Sequence, residues 1–168
     1  MKILVVYYSL DGNTQFAAEY IAERLGADLL KLKPENEPPR NPLKYIIGGK
    51  SVVMGEKAYL NRFREDPTEY DCIVLCGPVW AGRVTPAIRE FVVGHPFEGK
   101  KVGLVGCSAS GDSEEMFEKL RTLISGNEVI STCSLRHPKK KQAEAMPQLD
   151  VFCDSIAALT ASSSGESS

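Results

Sequence analysis

Lys2-Ile3-Leu4-Val5-Val6-Tyr7-Tyr8-Ser9-Leu10-Asp11-Gly12-Asn13-Thr14 is the stretch that decides the fold. Lys2 to Tyr8 is an unbroken β-prone run, the pattern of a strand buried on both faces rather than one. A short polar turn follows. From Asn13 the spacing becomes helical, with Phe16, Tyr20, Ile21 and Leu25 falling together and Gly26 as a stop.

Outward from this opening, strand-like and helix-like segments alternate. Strands are predicted at Ala27–Leu32, Asp71–Cys76, Lys101–Gly106 and Glu128–Leu135. Helices are predicted at Thr85–Val93, with Pro86 in the first turn where a missing N–H costs little, at Ser113–Ile124 and at Met146–Leu159. Ser113 can cap the second of these, and Glu114 and Glu115 suit its positive end. Pro34–Pro42 reads as a loop, and Leu43–Tyr59 has helical character broken by Gly48, Gly49 and Gly55. Such alternation gives an α/β fold: a three-layer sandwich around a five-stranded parallel sheet of order 2-1-3-4-5. Residues 1–160 are expected to form one domain, and 161–168 a disordered Ser-rich tail.

In sheets of this order, ligands bind beyond the carboxyl ends of the strands, where strands 1 and 3 diverge. Three loops lie there: Ser9–Thr14, Gly77–Val84 and Cys107–Ser113. The first opens a helix and carries two hydroxyls, an amide and a Gly, so its N–H groups can converge on a phosphate; it can equally be an ordinary turn with Thr14 as cap. It contains no Lys or Arg, which predicts a phosphate held by neutral donors. It is neither a Walker A loop nor a dinucleotide fingerprint, and Gly49-Lys50-Ser51 lacks the upstream Gly of a P-loop. The second loop holds the only Trp, Trp80, among small residues; its ring can stack on a flat heteroaromatic or pack over the sheet end. The small polar third loop lets backbone donors approach a ring edge, or is a routine turn.

Composition narrows the class. The 168 residues carry 20 Lys+Arg against 22 Asp+Glu, a net charge of −2, which gives no electrostatic case for nucleic acid or for an anionic membrane. No apolar stretch approaches the roughly 20 residues of a membrane span. The N-terminal apolar run is short and ends in Tyr-Tyr-Ser with no small-residue cleavage site, so it reads as a strand and not a signal peptide. Five scattered cysteines, without metal spacing, read as buried reduced thiols in a cytoplasmic protein.

Val5-Val6-Tyr7-Tyr8-Ser9-Leu10-Asp11-Gly12-Asn13-Thr14 resembles the flavodoxin signature of a strand followed by Ser/Thr-x-Thr-Gly-x-Thr. Gly77-Pro78-Val79-Trp80-Ala81-Gly82 with Pro86 resembles the second flavin loop of short flavodoxin-like proteins. The resemblance spans Lys2 to about Leu159. It implies one FMN, electron transfer and redox partner proteins. It puts the phosphate in Ser9, Leu10, Asp11, Gly12, Asn13 and Thr14. The isoalloxazine would then lie between Pro78, Val79, Trp80, Ala81 and Gly82 on one side and Cys107, Ser108, Ala109, Gly111 and Asp112 on the other.

Three features depart from the pattern. Asp11 stands where Thr is usual, so its backbone N–H is expected to face the phosphate, not its carboxylate. The third loop has no Tyr, leaving that ring face more open. The surface lacks the strong acidity of dedicated carriers. The alternative on this fold is an FMN-dependent NAD(P)H oxidoreductase acting on a quinone or similar acceptor. A phosphorylated receiver domain fits poorly, because strand 3 ends in Cys76-Gly77 and not in Asp, and strand 1 ends in Tyr-Tyr-Ser without an acidic pair. Among nearby charges, Asp112 would lower the flavin potential, and Arg83 would raise it if it folds over the ring. Arg136-His137-Pro138-Lys139-Lys140-Lys141, after strand 5, reads as a solvated loop or a docking site for an acidic partner or nicotinamide phosphates.

Overall fold

The computed structural model describes residues 1–35 and 59–162. Five parallel strands, β1 (Ile3–Tyr7), β2 (Asp28–Lys31), β3 (Cys72–Pro78), β4 (Lys101–Ser108) and β5 (Glu128–Arg136), form one sheet. Their order is β2-β1-β3-β4-β5, as the alternation predicts. The register is tight at the centre, with Val5 opposite Leu29 on β2 and Val74 on β3. Along β4–β5 the pairing skips Ile130 between Val102 and Gly103, a bulge on the edge strand.

Four α-helices cover the sheet among the described residues: α1 (Asn13–Leu25), α2 (Pro86–Gly94), α3 (Glu114–Leu123) and α4 (Gln142–Ser162). Strand alternation decides which face each residue serves. Leu4, Val6, Ile73 and Leu75 point toward Ile88, Phe91, Phe117 and Leu120 of α2 and α3. Val5, Cys72, Val74 and Cys76 point toward Ala17, Ile21, Leu149 and Phe152 of α1 and α4. Helix α1 begins and ends where the sequence places it. Helix α4 begins four residues before the expected Met146, with Pro147 inside its second turn, and runs on through Ala161 and Ser162. The Ser162 hydroxyl caps the carbonyl of Leu159 at 3.1 Å. The expected loop from Pro34 onward and the Leu43–Tyr59 helix fall mostly outside the described residues. At the borders of that segment, Pro34 bridges Leu60.

Helices α1 and α4 lie side by side on one face. Tyr20 donates to Asp150 at 2.5 Å, and Arg24 pairs with Asp150 and Asp154. Both helices start from the carboxyl edge of the sheet, so the turn before α4 is brought next to the turn before α1.

Candidate functional site

The first loop closes on its own side chains. Ser9 Oγ accepts the Gly12 N–H at 3.1 Å, and Asp11 Oδ1 accepts the Asn13 N–H at 3.1 Å. At the start of a helix, that carboxylate oxygen stands in for an oxygen of a bound anion. Regular helical bonding begins only with the Phe16 N–H, which donates to the Gly12 carbonyl at 3.0 Å. The N–H groups of Thr14 and Gln15 meet no acceptor among the described residues. The Thr14 hydroxyl is buried without a nitrogen or oxygen partner, beside the weakly bonding Cys107 thiol. Thr14 is therefore not the cap of α1; Gly12 occupies that position at φ 96°.

The first loop itself contains no cation, but the turn between β5 and α4 brings one beside it. Lys139 donates its N–H to Asn13 Oδ1 at 3.2 Å, and its side chain lies across the loop, so that a Cβ on Gly12 would sit 3.0 Å from Nζ. His137 turns the chain there with φ 44°, and its carbonyl accepts the N–H groups of Lys140 and Lys141. The basic stretch is thus folded against the first loop and is not merely solvated. The cause is topological: two neighbouring helices begin at one sheet edge.

The second loop is a two-residue hairpin. Trp80 and Arg83 exchange backbone hydrogen bonds at 3.3 and 2.9 Å, and Ala81 and Gly82 have φ of 50° and 74°. Positive φ at both central positions is the requirement of a type I′ turn. Only 7% exposed, Trp80 meets Tyr8 edge-on, with ring centroids 5.7 Å apart. The third loop is held by its own hydroxyls: Ser108 Oγ accepts the Gly111 N–H at 2.9 Å and Ser110 Oγ accepts the Asp112 N–H at 3.2 Å. Ser113 occupies the cap position of α3 without capping it. Its side chain is buried against Gly106, and Asp112 Oδ1 takes the Glu114 N–H at 3.0 Å instead.

Together the loops enclose a two-lobed crevice. One lobe, about 150 Å³, is lined by Leu10, Asp11 and Asn13 of the first loop, Pro78, Val79 and Trp80 of the second, Cys107, Ser108 and Ala109 of the third, and His137. The other, about 310 Å³, shares Val79, Ser108 and Ala109 and adds Gly82, Ser110, Asp112, Ser113 and Glu115. The lobes reach the lower end of the roughly 300–1,000 Å³ range of small-molecule clefts. Ser9 and Thr14, the two ends of the first loop, are buried, Gly12 lies under Lys139, Ala81 at the exposed hairpin tip and Gly111 against Arg136. Burial pushes the Cys107 thiol up to about 12, so it faces the crevice as a neutral thiol and not as a nucleophile. Arg83 is exposed and lines neither lobe. A larger cavity, about 580 Å³, lies near the amino ends of β3 and β4, bordered by Arg62, Arg64, Asp66 and His95, away from the switch point.

Sequence reasoning missed His137, Lys139 and Glu115 at this site. The basic run carries a signal for the first two. Glu115 reads only as a helix-start acid, although its carboxylate reaches Gly82, where a Cβ would come within 2.5 Å of Oε2.

A protein-family model described as Flavodoxin matches residues 2–144. No curated protein gives a significant match to the chain. Among solved structures, a flavoprotein of Lactobacillus acidophilus NCFM in complex with FMN is similar, with 20% identity and a TM-score of 0.67 over 84% of this chain and 97% of that one. The two-electron reduced flavodoxin of Megasphaera elsdenii is similar at 22% identity and TM-score 0.56, over 93% and 98% of the two chains. A flavodoxin of Streptococcus pneumoniae TIGR4 is similar at 16% identity and TM-score 0.57, over 94% and 99%.

Proposed function

The chain belongs to the flavodoxin family, and from that premise we propose that it binds FMN non-covalently and transfers electrons between redox partner proteins. The observation that carries this reading is the convergence of three loops at the β1/β3 switch point into one crevice, with unclaimed donors at its phosphate end. The residues fit the cofactor. Thr14 and Gln15 offer free N–H groups, and the Thr14 hydroxyl is a buried orphan that an anion's oxygen would satisfy. Binding requires Asp11 to release the Asn13 N–H, since a carboxylate and a phosphate compete for one donor. The ring would lie in the two lobes, with Trp80 and Val79 on one side and Ser108 and Ala109 on the other.

Bound FMN would supply one- and two-electron redox chemistry; the protein's part is to position it and set its potential. Asp112 and Glu115 line the second lobe, and two carboxylates there disfavour negative charge on a reduced ring, which lowers the potential. Buried, free thiols at all five cysteines suit a reducing compartment, which supports a cytoplasmic location. No helix among the described residues is long and apolar enough to cross a membrane.

The visible spectrum of the purified protein, followed by titration with FMN, tests the reading. Flavin absorption bands and saturable binding are expected; a colourless protein that leaves FMN fluorescence unquenched overturns it. Oxidation of NADH or NADPH by the FMN-loaded protein separates a carrier, which turns over negligibly alone, from a reductase that feeds a quinone.

A further inference from the structure

The geometry points to Lys139, on the turn between β5 and α4, as a ligand of the flavin phosphate and the residue that makes the site prefer phosphorylated flavin over riboflavin. The inference rests on the FMN reading and goes beyond its neutral first loop. Lys139 is fixed to that loop at two places. Its N–H bonds Asn13 Oδ1 at 3.2 Å, and its ammonium lies over Gly12, 3.0 Å from where a Cβ would stand. The backbone bond ties the turn to the loop, and His137 turns the chain there with a positive φ.

The charge is available. Lys139 has no ion pair among the described residues. An open hollow of about 310 Å³ is lined by Asn13, His137, Lys139 and Lys140, so the cation borders solvent. The same loop and helix start carry the buried Thr14 hydroxyl, which has no nitrogen or oxygen partner, and the unclaimed N–H groups of Thr14 and Gln15. An anion bound at this loop would meet neutral donors from the start of α1 and an ammonium from the β5–α4 turn. The ammonium also offsets the one feature of the loop that opposes a phosphate, the Asp11 carboxylate. Gly12 suits the position because its φ of 96° disfavours any side chain, and a Cβ there would crowd the lysine's Nζ at 3.0 Å.

Fluorescence titration of wild type and Lys139→Gln with FMN and with riboflavin tests this. The variant is expected to lose about five- to tenfold in FMN affinity, the scale of one exposed charge contact on a dianion, and nothing in riboflavin affinity. Lys139→Arg should retain most of the FMN affinity, and added salt should weaken FMN binding to wild type more than to Lys139→Gln. Equal losses for both flavins, or an unchanged FMN affinity, would overturn the assignment. A second arm uses flavin-free protein and inorganic phosphate. Phosphate should raise the melting temperature of wild type and do so less for the variant; an equal rise, or none in wild type, counts against Lys139. Wild type that binds neither flavin defeats the proposed function, whereas the phosphate arm still judges the anion contact by itself.

Discussion

Ala81 is the residue whose backbone carries the clearest unrelieved strain in the second loop. Its φ of 50° puts a Cβ-bearing residue in the left-handed region, at a cost of about 1–2 kcal/mol. Glycine there loses the strain but gains chain entropy when unfolded, which takes back roughly 0.5–1 kcal/mol. Ala81→Gly should therefore stabilise the protein by roughly 0.5–1 kcal/mol, read as a higher urea midpoint at unchanged slope. A lower midpoint would mean that the hairpin is not the type I′ turn its torsions describe. At this scale the sequence is legible only in part. Gly12, Trp80 and Asp112 can be placed at the site from their own neighbours in the chain. Lys139 cannot, because what sets it over Gly12 is the packing of α4 against α1 more than a hundred residues away in sequence. Glu115 is hidden for the same reason: it serves α3 locally and Gly82 across space.

At the scale of elements, β4 and α3 meet closely at the end of the third loop. Gly106 faces Ser113 and Met116, and a Cβ at Gly106 would overlap the Ser113 side chain. Ser113 is buried, its carbonyl accepts the Phe117 N–H, and the next residue's N–H is held by Asp112, so the close approach is not relieved cheaply. Gly106→Ala should cost about 1–3 kcal/mol of stability, the usual range for overpacking a filled core, and weaken FMN binding through the displaced Cys107–Ser113 turn. Thermal unfolding and FMN titration check both halves; a variant as stable as wild type would show that α3 slides without resistance. The elements themselves were readable. Buried parallel strands announce themselves as unbroken apolar runs, and α1 is bounded by residues that locally start and stop helices. The start of α4 was not, since Pro147 lies inside the helix and tertiary contact through Leu149 and Phe152 outweighs the hydrogen bond that proline forfeits.

Over the whole molecule, the sheet order was legible because alternation and handedness leave few alternatives, and the order in turn nominates the crevice. What the sequence leaves open is how the five thiols load one body. Cys72, Cys76, Cys107, Cys133 and Cys153 all enter the cluster under α1 and α4. Burial pushes the Cys107 and Cys133 thiols up to about 12 and raises Cys76 well above its ordinary value of 9.0. The unfolded chain ionises these thiols from about pH 9, whereas the folded protein keeps them protonated. Between those limits the folded state binds more protons, so stability is complete below pH 9 and declines as the pH rises toward the folded values. The steepest contribution is ~1.4 kcal/mol per pH unit for each fully buried thiol. Urea unfolding under reductant at about pH 8, 9.5 and 10.5 should show a midpoint that falls increasingly steeply above pH 9. Cys76→Ala will start lower, because it leaves a cavity beneath α1 and α4, but its decline with pH should be shallower than wild type. Parallel declines would mean that the Cys76 thiolate is tolerated in the core, and that the alkaline sensitivity of this sheet lies elsewhere.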